Sequence, residues 1–163
     1  MKMKAALVTG FGEPMEVAGD VYIDSPRAGE VLVKISHVGL CSTDLSIYAG
    51  GDPAYPLPAI VGHEATGIIH EVGADVTNCL VGQRVVLSMG LPCGACSACT
   101  AGSPQTCENV GVAGRPRINH DNSAVFPAFG LGAFAEYALL KSENVVVVPN
   151  DTPGEFAALV GCA

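Results

Sequence analysis

Apolar and polar residues alternate along this chain in short runs broken by glycine and proline, and the period of those runs is that of strands. Lys4 to Val8 and Val17 to Ile23 read as strands on either side of the turn Gly10-Phe11-Gly12-Glu13-Pro14, and Ser25 to Gly29 is the next break. Glu30 to Val38 alternates most regularly, with Val31, Val33 and Ile35 on one face against Leu32, Lys34 and Ser36 on the other, and its end delivers Cys41. From Ser42 to Ala49 the spacing of Leu45 and Tyr48, closed by Gly50-Gly51, suits one or two helical turns, after which Pro53, Pro56 and Pro58 force an extended loop. A second β block runs from Ala65 to Val72 and from Gln83 to Ser88, and strands return at Phe134 to Leu140 and Val145 to Val148. Thr152-Pro153-Gly154-Glu155 then matches a capping box with proline at the first helical position, and Phe156 to Val160 continues as helix.

Composition sharpens this picture. Twenty Gly and eleven Pro with no Trp describe a chain that turns often, and 49% hydrophobic residues in 163 are enough to bury a core, so a β-rich domain is expected. The formal charge is −8, and the eight basic residues are scattered, which excludes a nucleic-acid partner. No apolar run approaches the ~20 residues of a spanning helix. Met1-Lys2-Met3-Lys4 is followed by only Ala5 to Val8 before Thr9, too short for a signal-peptide core, so a cytoplasmic protein with no membrane partner is expected.

The segment from Gly90 to Cys107 has no periodicity, so something other than apolar packing must fix it. Cys93, Cys96, Cys99 and Cys107 stand there as C-x2-C-x2-C-x7-C in a run of Gly, Ala, Ser and Pro. Four thiolates suit a tetrahedral, closed structural zinc whose binding energy replaces the missing core, which defines a zinc lobe at about 90–110. An iron–sulfur cluster fits less well, because the bacterial run places three residues before its last Cys and Pro after it, whereas here seven intervene and Glu108 follows. Disulfides fit a chain without an export signal least.

Cys41, His63 and Cys162 are dispersed, and spacing alone says little about them. Their contexts say more: Cys41 lies at a strand-to-helix junction, His63 between the Pro-rich loop and a strand, and Cys162 at the end of the capped helix. Three such ligands with one open position are what a catalytic zinc requires.

In order, G-L-C-S-T-D, V-G-H-E-A-T-G, C-G-A-C-S-A-C with Cys107, G-A-F-A-E-Y and A-A-L-V-G-C-A resemble the zinc-dependent medium-chain alcohol dehydrogenases over the whole chain. The resemblance implies a mainly β, GroES-like, partly open barrel with an inserted zinc lobe and a few short helices, where pattern alone gives only β-rich. It implies a GroES-like catalytic domain over 1–150 and, over 151–163, the start of a helix leading toward a cofactor domain that this chain does not contain. By the same resemblance Cys41, His63 and Cys162 hold a catalytic zinc, Glu64 sits beside it, Asp44 orients the ligand imidazole, and Thr43 takes the alcohol proton. His63 and Glu64 would point to opposite faces of a regular strand, so both reach one metal only through irregular backbone, which Gly62 permits. Ser46 stands where several relatives carry a His at the outer end of the proton relay, a place His37 or water would fill, and Ser42 replaces a basic residue that some relatives turn toward the cofactor.

The implied activity is reversible oxidation of an alcohol to an aldehyde or ketone, with NAD or NADP as hydride acceptor, two zinc ions per chain, and a homo-oligomeric complete enzyme; the isolated chain is expected to be inactive. The alternative is a non-enzymatic, zinc-stabilised GroES-like structural or interaction module. Gly130-Leu131-Gly132-Ala133-Phe134-Ala135 spells G-x-G-x-x-A, but it follows Pro127 and leads into a strand, the wrong context for a dinucleotide turn. Cys79 reads as a small buried apolar residue, His70 as a surface or edge residue, and Met89 as either pocket wall or core; His120 has no assignment.

Overall fold

The computed structural model describes residues 1–51, 53, 55–89, 95–103, 106–108 and 117–162. Among them, ten strands follow the chain: β1 (Lys2–Leu7), β2 (Glu16–Ile23), β3 (Glu30–Gly39), β4 (Ala59–Ile60), β5 (Glu64–Val72), β6 (Arg84–Leu87), β7 (Ile118–His120), β8 (Ser123–Pro127), β9 (Tyr137–Lys141) and β10 (Val145–Val147). Three short helices accompany them: α1 (Ser42–Tyr48), α2 (Ser97–Thr100) and α3 (Gly154–Leu159). One sheet has the order β1-β2-β7-β8-β4 and the other β10-β6-β5-β3-β9. Every pairing is antiparallel except that of β4 with β8.

Bridges curl these sheets into the expected partly open barrel. Val8 pairs with Ala59, joining the two edges of the first sheet, and Ala5 pairs with Ala135, joining it to the approach to β9. The core divides accordingly. Val31 and Val33 pack with Ala65, Val85 and Leu87 on one side of β3. Leu32 packs with Met3, Val21 and Ile60 on the other. Alternation in β3 therefore separates two apolar environments near its start, and becomes inside-versus-outside only from Lys34 onward.

Pattern reading misses β4, β7 and β8, which are two to five residues long and held by backbone pairing rather than by amphipathic alternation. The last long strand begins at Tyr137, not Phe134, because Ala133 and Phe134 donate backbone N–H groups to Gly62 and Val61 instead of entering the sheet ladder. The expected capping box at α3 is absent: Pro153 is the N-cap, extended at φ −57° and ψ 129°, with no side-chain cap bond. Thr152 is instead the end of a turn, donating its N–H to Pro149 at 3.0 Å, as proline's bias against helical backbone in the preceding residue favours. Gly130 to Ala135 opens no helix, in keeping with its rejection as a dinucleotide turn. No helix among the described residues is long and apolar enough to cross a membrane.

Candidate metal centre

The end of β3 turns directly into α1, so Cys41 becomes the helix N-cap, with extended backbone at φ −97° and ψ 156°. Three residues on, Asp44 folds back. Its Oδ2 accepts the Cys41 N–H at 3.0 Å, and its Oδ1 accepts the Gly62 N–H at 2.8 Å and lies 3.3 Å from His63 Nδ1. A fully buried carboxylate thus ties the first turn of α1 to the loop carrying His63.

That loop is irregular. Gly62 has φ +96°, and a Cβ there would lie 2.8 Å from the Phe134 ring. Because β5 begins only at Glu64, His63 lies outside the regular pleat, and the side chains of both can turn to one place. Gly39 allows the approach of Glu64, since a Cβ there would lie 2.3 Å from Glu64 Oε2 and 3.1 Å from Leu159 Cδ2. Cys162 arrives from the turn after α3, where its N–H donates to Leu159 at 3.1 Å.

The ligand atoms of Cys41, His63, Glu64 and Cys162 lie within 4.8 Å of one another, a group able to hold a metal ion. The two sulfurs are 4.0 Å apart, and Cys41 Sγ is 3.7 Å from Thr43 Oγ1. Among the described residues, His63 Nε2 is buried without a hydrogen-bond partner. Thr43, through its backbone N–H and then its hydroxyl, holds the ionised form of Cys41 and lowers that thiol to about 7 against the opposing effect of burial. The same neighbourhood pushes Cys162 up to about 11, first through its hydrogen bond with Cys41, then through burial and Glu64. Two sulfurs and a carboxylate at this spacing concentrate negative charge that a cation offsets.

A second group forms at the lobe, where the sulfurs of Cys96, Cys99 and Cys107 lie within 4.8 Å of one another, with Cys96 and Cys107 at 3.9 Å. Cys96 is the N-cap of α2 and Cys99 lies within that helix. Cys93 lies outside the described residues. Among the remaining residues, Cys79 is buried in the core as expected, its thiol pushed up by that burial. His70 is exposed, its ring edge-on to Tyr137. His120 lies 3.1 Å from Asp20. Met89 is 37% exposed and so not core. His37 bonds Ser36 at 3.2 Å and abuts Gly154 of α3.

Sequence reasoning missed Phe129. Its ring meets the His63 imidazole edge-on, with centroids 5.2 Å apart and planes at 71°, and its backbone is left-handed at φ 55° and ψ 19°.

Comparison with known proteins identifies the family and its relatives. The family profile described as the alcohol dehydrogenase GroES-like domain matches residues 27–150. An S-(hydroxymethyl)glutathione dehydrogenase from Synechocystis sp. is 32% identical over 99% of this chain and 46% of its own length. Its counterpart from Photobacterium damsela subsp. piscicida is 33% identical over the same shares. Among solved structures, benzyl alcohol dehydrogenase from Acinetobacter calcoaceticus superposes with a TM-score of 0.86 at 36% identity, over 99% of this chain and 45% of that one. A cobalt- and zinc-bound thermostable alcohol dehydrogenase from Pyrobaculum aerophilum does so with a TM-score of 0.78 at 30% identity, over 99% of this chain and 45% of that one. The chain spans about half the length of the curated relatives it matches, 46% in each case.

Proposed function

The chain belongs to the alcohol dehydrogenase GroES-like domain family, and from that premise we propose that it is the catalytic-domain portion of a zinc-dependent alcohol dehydrogenase, which oxidises an alcohol reversibly to an aldehyde or ketone. The observation that carries this reading is the convergence of Cys41, His63, Glu64 and Cys162, whose buried imidazole nitrogen has no hydrogen-bond partner among the described residues. An orphaned buried nitrogen is costly, and a metal ion satisfies it. Two thiolates and one imidazole fit zinc and leave a position for substrate. A zinc ion held by Cys41, His63 and Cys162 would supply a Lewis acid that makes an alcohol hydroxyl easier to ionise.

The chain's own residues do the rest. Asp44 accepts from the backbone at both ends of the site and fixes the imidazole through Nδ1, directing Nε2 toward the two sulfurs. Thr43, whose hydroxyl neighbours Cys41, relays the alcohol proton, accepting it as it passes its own to water. Glu64 lies beside the ligands as a further oxygen donor. Cys93, Cys96, Cys99 and Cys107 would hold a structural zinc, and the sulfurs of Cys96, Cys99 and Cys107 lie within 4.8 Å of one another. NAD or NADP, bound by a part of the complete enzyme outside residues 1–163, would supply the hydride acceptor. The complete enzyme is cytoplasmic and homo-oligomeric in this reading, and its substrate is a small-molecule alcohol or aldehyde, a class supported by the names of its benzyl alcohol and S-(hydroxymethyl)glutathione relatives.

A closed structural site has no place for an alcohol, so the test is direct. The chain is loaded with cobalt(II) and titrated with a small primary alcohol while its visible absorption is followed. A saturable spectral change, absent in Cys41→Ala, is expected. An unchanged spectrum in a chain whose Cys41 site holds cobalt would mean a closed site with no place for an alcohol and would contradict this reading, and a Cys41 site that takes up no cobalt would support the zinc-stapled module instead.

A further inference from the structure

Phe129 stands where its backbone would suit glycine. It is one of four non-glycine residues with positive φ among those described, and the other three, Asp75, Asp121 and Asn122, are of the small polar types that tolerate this region. A bulky residue held there is an outlier that calls for a reason. The immediate consequence of the turn is where it puts the ring: edge-on to His63, 5.2 Å away, and partly buried against the cluster of Val8, Val61 and Ala128. Glycines at positive φ follow, at 130 and 132, so the neighbouring strain is placed on residues that bear it freely.

We propose that Phe129 is a positioning residue for the metal centre: its ring closes the side of the His63 imidazole that Asp44 does not hold, so that Nε2 keeps one direction toward Cys41 and Cys162. A hydrogen bond at Nδ1 fixes one atom of a planar ring and leaves rotation about that contact. An aromatic edge against the ring removes that freedom, as edge-to-face pairs favour a defined angle. The same ring helps exclude water from Nε2, whose burial without a partner is the feature that makes it a ready ligand. Tyr55 packs against the same cluster of Val8, Val61 and Ala128.

This inference rests on the metal-centre reading above, and the test separates the two. The full chain and its Phe129→Leu, Phe129→Tyr and Cys41→Ala variants are titrated with zinc against a chelator. Their cobalt(II) spectra are compared after subtraction of the Cys41→Ala spectrum, which removes the signal of the cysteine lobe. Leucine keeps the apolar burial but loses the ring edge, and a roughly tenfold weaker zinc affinity at this site with altered cobalt bands is expected, the low end for groups that support a ligand. Tyrosine keeps the ring and should restore both. Wild-type affinity and spectrum in a folded Phe129→Leu chain would overturn the inference. So would a loss of affinity that Phe129→Tyr does not repair. If Cys41→Ala binds as much metal as the wild type, the metal-centre reading itself fails. Should Phe129→Leu lose its folded circular dichroism signal, Phe129→Met carries the same comparison.

Discussion

Asp44 Oδ1 lies 3.3 Å from His63 Nδ1, and neither side chain is exposed to solvent. The same carboxylate also accepts backbone N–H groups from Cys41 at 3.0 Å and Gly62 at 2.8 Å. One side chain therefore sets both the helix start that carries one ligand and the loop that carries another. Asp44→Ala leaves the buried Gly62 donor and the half-buried Cys41 donor unpaired, at a cost of about 3 kcal/mol, since each unsatisfied group costs ~1–3. The expected outcome, read by urea unfolding and zinc titration together, is a less stable chain with weaker binding at the Cys41 site. A change in stability with unaltered zinc affinity would mean that Asp44 holds the fold but not the imidazole.

Gly62→Ala separates backbone strain from site geometry. At φ +96° any side chain is strained, and here the new Cβ also meets the Phe134 ring at 2.8 Å and its backbone nitrogen at 2.9 Å. A loss of about 2 kcal/mol together with weaker metal binding is expected. Gly82, at φ +89° with nothing within 4 Å, is the control. Gly82→Ala should cost about 1 kcal/mol and leave metal binding unchanged.

These two residues also mark how far the sequence could be read. Gly62 announces irregular backbone before β5, and the likeness of V-G-H-E to a known family pointed to His63 and Glu64. Nothing in the spacing of Cys41, His63 and Cys162 could have shown that β3, the β5 entry and α3 end at one place. That convergence is a property of sheet order, in which β3 lies beside β5 and α3 packs against both. Short apolar runs bounded by turn residues made β1, β2, β3, β5, β6, β9 and β10 legible. β4 and β7 carry too few residues for a period, and β8 ends in Pro127. Phe129 escaped because its role comes from a left-handed φ, and a phenylalanine gives no sign of one. The glycines after it drew notice only as a false dinucleotide motif.

Cys79 offers a test of the core through pH. Burial raises its thiol above the usual value, so the folded chain keeps the proton when the unfolded chain has begun to release it. Its contribution to stability is full below the unfolded pKa of about 8.5 and is lost as pH rises toward the folded value. In urea unfolding, Cys79→Ala is expected to be about 1 kcal/mol less stable at neutral pH, with the gap narrowing above that range. A gap that stays constant into alkaline solution would contradict this assignment of the buried thiol.

The isolated chain is expected to bind metal without catalysing turnover, because its one glycine-rich dinucleotide-like run, Gly130 to Ala135, leads into no helix. Incubation with small alcohols and NAD or NADP, followed by nicotinamide absorbance, should stay at the level of the protein-free control. Sustained cofactor reduction by residues 1–163 alone would show that the hydride acceptor has a site within them.

Zinc content tests most directly whether a preformed catalytic centre exists beside the structural lobe. The chain and its Cys41→Ala and Cys96→Ala variants are purified without added metal and analysed for zinc per chain, with thermal melting alongside. About two zinc ions are expected in the wild type and about one in Cys41→Ala with little change in Tm, because a catalytic site contributes less to the fold than a closed structural one. Cys96→Ala should also hold about one but melt at a lower temperature. About one zinc in both the wild type and Cys41→Ala would contradict the central claim, leaving a zinc-stapled β domain whose dispersed Cys41, His63 and Cys162 hold no metal.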